Sequence, residues 1–404
     1  MNFKYKNNKI YDEKIYINNK TDINNFNLLC TEYSYLPTFI NKVDRIIGIG
    51  DIHGDLELTI KFLKIGKLIE DIHKKDFIIG DCIKIPINVT KIEFQQNYNN
   101  LSDILLTQNN GTFKYFKYYK WIGKNTYVVQ IGDQIDRCRP FNNSECSKED
   151  MTNEDENSDL LIMEIFDCLH KIAVKHNGAV YSLIGNHEVM NFDGDFRYVS
   201  YRGTDDYENS KLIEKRINEF NKMRKKFACT RNAIIVIGDF VFVHGGLANL
   251  LISNYKLENI NEIIRVYILD KFENIKNNKI KEIYNQIVNS SSLSPLWHRN
   301  LAMIPPDNEN DKGIINKDCK TYFEPLKNYF SEKGILNLKG LIIGHTPQLS
   351  IHNKGINTAC NKGIIRIDIG ASKAFNNIFD EKDIKYRQPQ VIEILNNETI
   401  KILI

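Results

Sequence analysis

The sequence predicts an α/β sandwich, in which strands alternate with helices along most of the chain. Three observations support this prediction. Short apolar runs rich in Ile and Val recur along the chain, as they do in buried strands. Segments with apolar residues at helical spacing lie between several of these runs. Two pairs of runs in the second half are separated only by a short turn, which predicts antiparallel hairpins within the sheets.

The predicted strands are apolar runs with a high content of β-branched side chains. They cover residues 43–49, 127–131, 179–184, 233–237, 240–243, 341–343, 364–369, 391–395 and 400–404. The predicted helices cover residues 55–64, 160–174 and 204–226, and the last of these is strongly charged and amphipathic. Gly238-Asp239 and Asn396-Asn397 supply the turn residues of the two hairpins.

The chain of 404 residues, of which 42% are hydrophobic, is long enough to bury a large core. Residues 1–42 mix Asn, Lys and Tyr without clear periodicity, and we predict an N-terminal extension that wraps the surface or is partly loose. Residues 43–404 are predicted to form one large domain with an insertion at about residues 70–124. This insertion could cover a cleft, bind a partner or be inert, and we favour a surface elaboration.

The charge balance argues against two classes of protein. Lys plus Arg number 54 and Asp plus Glu 51, which leaves a net charge of +3. A dedicated nucleic-acid-binding or membrane-surface protein would carry a larger basic excess. No apolar run approaches the roughly 20 residues that span a bilayer, and the first residues lack the apolar segment of a signal peptide. We therefore expect a cytoplasmic protein that binds neither nucleic acid nor membrane.

The eight cysteines are scattered along the chain and include no CxxC pair. This spacing argues against a disulfide framework and against a thiolate zinc site. We expect reduced, mostly structural thiols, which fits the cytoplasmic location predicted above.

The candidate functional residues lie in turns directly after predicted strands. These turns read Gly50-Asp51-Ile52-His53-Gly54, Gly132-Asp133-Gln134-Ile135-Asp136-Arg137, Gly185-Asn186-His187-Glu188, His244-Gly245-Gly246 and Gly344-His345-Thr346. Ligands of open α/β sheets gather beyond the carboxyl ends of strands, and glycine lets the backbone turn sharply there. Each turn alone could be an ordinary cap or bend. Five such turns, which hold four of the nine histidines, indicate a site instead.

The side chains in these turns predict a metal centre. Carboxylates, imidazoles and an amide oxygen without thiolates suit manganese, iron or zinc, and they contain too much nitrogen for calcium or magnesium. Two metal ions about 3.5–4 Å apart need a bridging group. Asp133, which stands between two groups that contain histidine, is the natural bridge.

The five turns, in this order, resemble the sequence blocks of the calcineurin-like metallophosphoesterases, and within them the phosphoprotein phosphatase superfamily. The run from Gly185 to Val199 and the segment Pro295-Leu296-Trp297-His298-Arg299 are similar to the Shewanella-like protein phosphatase branch. The resemblance covers residues from about 43 to 375. It implies a four-layer fold, in which two central mixed β-sheets are sandwiched between helices and the active site lies at the strand ends. Residues 43–404 would then be the catalytic domain.

The resemblance also implies a role for each motif residue. The first metal ion would be held by Asp51, His53 and Asp133, and the second by Asp133, Asn186, His244 and His345. The substrate phosphate would be bound by Arg137, Arg299 and the Asn186 amide, with Arg197 as a further candidate. His187 would be the general acid, and Asp136 would orient its ring. The sequence departs from the family pattern at Cys138, where glycine is usual, and in the 82 residues that separate Asp51 from Asp133.

These roles predict a phosphatase that hydrolyses phosphomonoesters, with phosphoproteins or phosphopeptides (Ser/Thr or Tyr) as substrates. A hydroxide that bridges two metal ions (Mn, Fe or Zn) would attack phosphorus directly, without a covalent intermediate. One alternative is a nucleotide or dinucleoside polyphosphate phosphoesterase, whose pocket could use the aromatic residues of segment 113–119 as a wall. A lesser alternative is a non-catalytic scaffold that binds phosphoproteins. The sequence identifies no regulatory partner.

Overall fold

The structure of the protein is a computed structural model that describes residues 22–90, 108–109, 112–141, 145–148, 150–205, 212–270, 275–308, 316–352, 354–378 and 385–404. Its strands are numbered in chain order. They are β1 (Phe39–Ile40), β2 (Arg45–Ile49), β3 (Ile69–Ile72), β4 (Cys82–Thr90), β5 (Gln108–Asn109), β6 (Thr112–Trp121), β7 (Tyr127–Gln130), β8 (Ala179–Ser182), β9 (Ile234–Ile237), β10 (Phe240–Val243), β11 (Gly340–Ile343), β12 (Asn357–Ala359), β13 (Ile364–Arg366), β14 (Val391–Leu395) and β15 (Thr399–Leu403).

The α-helices are numbered in the same way. They are α1 (Asp22–Leu29), α2 (Leu56–Ile65), α3 (Asp159–Lys175), α4 (Asn186–Phe192), α5 (Tyr201–Asp205), α6 (Leu212–Thr230), α7 (Asn249–Asn254), α8 (Leu257–Ile268), α9 (Asn278–Asn289), α10 (Asn300–Met303), α11 (Glu324–Glu332) and α12 (Gln348–His352). Single turns of 3₁₀-helix lie at Lys74–Asp76 and Lys373–Phe375, and a π-helical turn at Cys319–Phe323 precedes α11.

A five-stranded sheet and a six-stranded sheet form the centre of the fold. Their strand orders are β15-β14-β2-β7-β8 and β1-β9-β10-β11-β13-β12. Strands β2, β7 and β8 run parallel, and so do β10, β11 and β13. Each sheet also contains antiparallel pairs, so both are mixed. Parallel neighbours bring their carboxyl ends to one edge of each sheet, which is where the candidate residues were expected.

Side-chain alternation along the strands separates the layers of the sandwich. In β10, Phe240 and Phe242 pack into the core between the two sheets. Val241 and Val243, on the opposite face, pack in a second core with residues of α6, α8, α9 and α11. A third core lies outside the five-stranded sheet, where α2 and α3 cover it. The predicted arrangement of two mixed sheets between helical layers is confirmed.

Most of the predicted elements are present. Every predicted strand segment contains a strand, both hairpins are antiparallel, and the helices predicted over 55–64 and 160–174 correspond to α2 and α3. The helix predicted over 204–226 corresponds to α6 from Leu212 onward, but α6 runs on to Thr230, past the predicted end. Residues 206–211 of this prediction lie outside the described part of the chain. Helix α6 extends past residue 226 since Phe220 and Phe227 anchor one of its faces in the core.

A third, antiparallel sheet lies in the segment that we predicted to be an insertion. It has the order β3-β6-β4, with β5 paired to β6. Ile83, Ile85, Tyr119 and Trp121 of this sheet are buried in the core that also contains α2 and α3. The segment therefore adds a layer outside the five-stranded sheet. Its status as an insertion stays a prediction.

Part of the predicted N-terminal extension packs onto the six-stranded sheet and its helices. Phe26 of α1 is fully buried, and Phe39 of β1 pairs with Val236 of β9. Residues 1–21 lie outside the described part of the chain. The domain boundary at residue 43 stays a prediction, although β1 joins the sheet just before it.

The expectation of reduced thiols is wrong for six of the eight cysteines. Disulfides join Cys30 to Cys229, Cys138 to Cys146, and Cys319 to Cys360. Only Cys82 and Cys168 are free. The sequence spacing gave no sign of these bridges because the fold brings together cysteines that are as many as 199 residues apart.

Two findings bear on the predicted cytoplasmic location. Among the described residues, no helix combines the length and the apolar character that crossing a membrane requires. Disulfides are typical of oxidising compartments, which is the opposite of the location that we predicted. The cytoplasmic location stays a prediction.

We expect titration of the denatured, unreduced protein with a chromogenic thiol reagent to find two thiols per chain, from Cys82 and Cys168. Reduction before titration should raise the count to eight, since three disulfides release the other six thiols. Free thiols must be blocked at lysis to prevent exchange during purification. Eight thiols in the unreduced sample would contradict all three bridges.

Candidate active site

Asp51 and His53 lie in the turn after β2, against the turn after β7. The backbone N–H groups of Ile52 and His53 donate to the carbonyl of Asp133 at 3.0 and 2.9 Å. His53 Nδ1 lies 3.2 Å from the carbonyl oxygen of Ile135. This contact places the proton on Nδ1, so that Nε2 can act as a ligand. His53 Nε2 lies 3.8 Å from both Asp51 Oδ2 and Asp133 Oδ2.

His244 and Asn186 face Asp133 from the other side. His244 is fully buried, and its Nδ1 lies 3.0 Å from the carbonyl oxygen of Ile131. Its Nε2 lies 2.9 Å from Asn186 Oδ1 and 3.2 Å from Asp133 Oδ2. The ring of His345 lies 5.0 Å from that of His244, and the His345 backbone N–H donates to Asp51 Oδ2 at 3.0 Å. The predicted ligands of both metal ions therefore lie close together around Asp133.

Asp133 belongs to two buried groups of side chains that could each hold a metal ion. One group is His53, Asp133 and His187, and the other is Asp133, His244 and His345. Within each group the potential ligand atoms all lie within 4.8 Å of one another. A carboxylate shared by two such groups is what a dinuclear centre requires of its bridge.

The electrostatics of these groups also suit cations. The buried atoms that have no hydrogen-bond partner among the described residues include Asp51 Oδ1, His345 Nε2 and Asp368 Oδ2. Burial raises the pKa of Asp51 well above its usual value, and the charges of Asp368 and Asp133 add to this effect. Burial, together with Asp133, also raises the pKa of Asp368 to about 6. Carboxylates that repel one another and lack donors are stabilised by bound metal ions. The residues present therefore fit two metal ions.

His187 and Asp136 form a buried pair beside this centre. His187 Nδ1 lies 2.7 Å from Asp136 Oδ2, and the His187 backbone N–H donates to Asp133 Oδ1 at 3.1 Å. Asn191, one turn further along α4, donates from Nδ2 to Asp136 Oδ1 and to the carbonyl of His187, both at 2.9 Å. The predicted orienting partner of His187 is thus in contact with it, and Asn191 holds both residues.

Arg216 of α6 extends this network, and the sequence gave no sign of it. Its Nη2 donates to Asp159 Oδ2 at 2.8 Å and lies 3.4 Å from Asp136 Oδ1. Its Nε donates to Asn191 Oδ1 at 2.7 Å. The guanidinium is almost fully buried. Arg216 therefore places a positive charge against the carboxylate that orients His187.

Glu188 ties two of the turns together. Its carboxylate accepts hydrogen bonds from the backbone N–H groups of Asp133 at 3.0 Å, Gln134 at 2.7 Å and Gly185 at 2.8 Å. Burial and the charge of Asp133 raise its pKa to about 7. Glu188 therefore caps the start of α4 through Gly185 and also fixes the turn after β7 through Asp133 and Gln134.

The predicted phosphate-binding arginines lie in different surroundings. Arg299 Nη1 donates to the carbonyl of His345 at 3.1 Å and to Thr346 Oγ1 at 3.0 Å, so it is close to the metal-binding group of His345. Arg137 is buried and donates to the carbonyls of Gly54 and Glu154 and to Glu156 Oε1. Arg197 is 70% exposed and forms a salt bridge with Asp195. Only Arg299 of the three is both near the centre and without a carboxylate partner among the described residues.

Four residues of the centre have a backbone conformation that is rare for side chains other than glycine. The φ angles of His53, Asp133, Asp136 and His345 are 50°, 52°, 70° and 64°. Such residues cluster at functional sites, where the surrounding structure holds them in place. The strain therefore marks the same turns that the sequence pattern singled out.

The sequence matches the calcineurin-like phosphoesterase family over residues 96–349, more than half of the chain. The chain belongs to this family. It is 25% identical over 410 residues to Shewanella-like protein phosphatase 2 of Arabidopsis thaliana, covering 91% of this chain and 79% of that protein. Shewanella-like protein phosphatase 1 of Plasmodium berghei is 26% identical over 358 residues, covering 86% of this chain and 74% of that protein. Uncharacterized protein R398 of Acanthamoeba polyphaga mimivirus is 33% identical over 265 residues, covering 60% of this chain and 98% of that protein.

Two solved structures of cold-active protein tyrosine phosphatases share the fold. One has a TM-score of 0.52 and 16% identity, covering 91% of this chain and 81% of that chain. The other, from a psychrophilic Shewanella species, has a TM-score of 0.51 and 17% identity, covering 92% and 83%. Within the calcineurin-like phosphoesterases, these findings support the Shewanella-like branch. The protein is a metal-dependent phosphoesterase, a hydrolase of a family that uses a dinuclear metal site.

Arg216→Met should reduce activity by releasing Asp136 and thereby misplacing the ring of His187. We expect a loss of about 10²-fold for an alkyl phosphate, whose poor leaving group needs a proton, and a smaller loss for p-nitrophenyl phosphate. Steady-state kinetics on both substrates measures the difference. Arg224→Met is the matched control, because Arg224 lies on the same helix and donates to the carbonyls of Ile268 and Phe192. Equal losses on the two substrates would show that Arg216 is only structural.

Proposed function

We propose that this protein is a dinuclear-metal phosphatase that removes phosphate from phosphoproteins, on Ser/Thr or Tyr side chains. The observation that carries the proposal is the position of Asp133, whose carboxylate is shared by two buried groups that each contain histidines. In the proposed site one metal ion is held by Asp51, His53 and Asp133. The other is held by Asp133, Asn186, His244 and His345. Manganese, iron and zinc are the candidates.

The residues of the chain have distinct parts in the proposed reaction. When bound, two metal ions neutralise phosphoryl charge and activate water at neutral pH. Arg299 donates to phosphoryl oxygens from beside His345, and the Asn186 amide donates from beside His244. His187 in its doubly protonated form gives the Nε2 proton to the leaving oxygen and keeps the Nδ1 proton, which it donates to Asp136 Oδ2 at 2.7 Å. No side chain forms a covalent bond to phosphorus.

The surroundings of the site support a phosphorylated side chain as substrate. Three aromatic rings stand edge-on to its histidines: Phe375 at 5.4 Å from His53, Tyr198 at 4.9 Å from His187, and Trp297 at 5.7 Å from His345. These rings can contact the side chain that carries the phosphate. Two of the similar proteins named above are protein phosphatases by name, which agrees with this substrate class.

The nucleotide alternative lacks such support. It relied on the aromatic segment 113–119 as a wall for a base. Tyr119 is only 1% exposed and Tyr118 is 9% exposed, and Tyr119 packs in the core beneath the third sheet. The side chains of residues 113–115 lie outside the described part of the chain. We therefore keep the phosphoprotein proposal alone.

Phosphate release is the direct test of this proposal. Purified protein supplied with manganese should release phosphate from at least one of three peptides, which carry phosphoserine, phosphothreonine or phosphotyrosine. Asp133→Asn should abolish this release and lower the metal content measured by mass spectrometry, because the bridging charge is lost. A nucleotide panel is the comparison. Turnover of nucleotides alone would replace the phosphoprotein proposal, and turnover that survives in Asp133→Asn would contradict the metal site.

His187→Asn should keep both metal ions and reduce turnover by about 10²–10⁴-fold, the usual scale for loss of a general acid. Metal content and kcat are to be measured on the same preparation. The measurement is needed because His187 Nε2 lies 3.8 Å from Asp133 Oδ2, close enough to be a ligand itself. Loss of one metal ion in the variant would reassign His187 from general acid to ligand.

A further inference from the structure

We infer that Arg139 binds the phosphoryl oxygens of the substrate, on the side of the site where His53 and His187 lie. This inference rests on the proposed phosphatase function and adds a residue to it. The resemblance of the sequence assigns that task to Arg137, two positions earlier. The two arginines differ in what their guanidinium groups already bind, and this difference carries the argument.

Both terminal nitrogens of Arg137 already bind other parts of the protein. Its Nη1 donates to Glu156 Oε1 at 2.8 Å and to the carbonyl of Gly54 at 2.9 Å. Its Nη2 donates to the carbonyl of Glu154 at 2.8 Å. Its Nε is buried without a partner, and the whole side chain is 2% exposed. A substrate oxygen would have to compete with Glu156 for Nη1 of this buried guanidinium.

Arg139 is half-buried and keeps donors available. Its Nη1 donates to the carbonyls of Asp136 at 3.0 Å and Cys138 at 2.7 Å. Among the described residues, the structure gives no hydrogen-bond partner to its Nε and Nη2, and no carboxylate forms a salt bridge with it. Its positive charge is therefore not neutralised by a direct partner. A guanidinium with free Nε and Nη2 donors and no salt-bridge partner favours an anion that accepts two parallel hydrogen bonds.

Two aromatic rings fix Arg139 beside the catalytic histidines. Its guanidinium carbon lies 4.7 Å from the centre of the Phe375 ring and 5.5 Å from that of Tyr198. These are the same rings that stand edge-on to His53 and His187. Stacking holds the planar group in place before a substrate arrives.

The backbone is also held at the residue before Arg139. The neighbouring Cys138 is bonded to Cys146, and its N–H donates to the carbonyl of Tyr198 at 3.0 Å. Both cysteines are buried and pack against Met151. Cys138 is the residue that replaces the usual glycine of the family pattern. The departure from that pattern thus anchors the segment that presents Arg139.

Arg139 and Arg299 would then contact the phosphate from two sides. Arg299 lies beside His345, whereas Arg139 lies beside the rings that pack on His53 and His187. Two arginines that flank the predicted metal pair can donate to different phosphoryl oxygens and stabilise the charge that develops during transfer.

Phosphate binding tests the inference separately from turnover. Isothermal calorimetry on manganese-loaded protein should give a Kd for inorganic phosphate that is roughly 10- to 100-fold higher in Arg139→Met than in the wild type, the scale for loss of charged hydrogen bonds. Arg139→Lys should recover only part of this affinity, because lysine keeps the charge without the fork or the stacking. Arg202→Met is the matched control, since Arg202 is an exposed arginine of the nearby helix α5.

Three results would overturn the inference. They are an unchanged Kd in Arg139→Met, an equal rise in the Arg202→Met control, and a rise in Arg137→Met with none in Arg139→Met. Thermal denaturation of each variant shows whether it is folded, and Arg139→Lys serves if the methionine variant is not. A wild-type protein that binds phosphate but hydrolyses no phosphomonoester would contradict the proposed function, and the calorimetry would still decide the role of Arg139.

Discussion

The site depends on the contacts that converge on Asp133. Its carbonyl accepts from the turn after β2, its N–H donates to Glu188 in the turn after β8, and its carboxylate faces His244 at 3.2 Å. Burial alone would raise the pKa of this carboxyl, but His244 and His187 hold it well below its usual value. A single ionised side chain therefore fixes the relative positions of turns from both sheets. The sandwich brings these turns to one edge, and Asp133 sets the spacing between them.

Holding four side chains in left-handed backbone conformations costs of order 1–3 kcal/mol each, and the surrounding structure must supply this energy. Part of this energy comes from the backbone hydrogen bonds to Glu188. Another part comes from close packing, which leaves no space for the backbone to adopt a different conformation. A Cβ atom at Gly185 would lie 2.1 Å from Asp133 Oδ1, and one at Gly344 would lie 2.3 Å from Asp51 Oδ1. The backbone thus approaches the carboxylates so closely that only glycine fits. The close packing therefore holds the strained residues in the positions that the site needs before a ligand binds.

The sequence was sufficient to predict most strands of the two central sheets, the hairpins and the strand-end turns, because each leaves a local pattern in the sequence. Strands β1 and β12 and the third sheet were not predicted. The sequence was also insufficient where a residue acts through a distant contact. Asp368 was missed because the strand was predicted to run to residue 369, whereas β13 ends at Arg366 and leaves Asp368 in a strand-end turn. Arg216 reaches Asp136 across 80 residues of sequence, and Cys30 reaches Cys229 across 199. No periodicity or motif encodes such pairs, since only the assembled layers bring them together.

The arginines around the site fall into two classes, and their partners explain why. Arg137 and Arg216 are buried and paired with carboxylates, so their charges stabilise the turns and the orienting carboxyl of Asp136. Arg139 and Arg299 donate only to backbone carbonyls and to the hydroxyl of Thr346 among the described residues, and neither forms a salt bridge with a carboxylate there. Arg299 is exposed, whereas Arg139 is half-buried, and a half-buried cation without a direct carboxylate partner is stabilised when an anion binds to it. A sequence motif identifies an arginine only by its position in the chain. The groups that the guanidinium contacts determine whether the arginine stabilises the site or can bind the substrate.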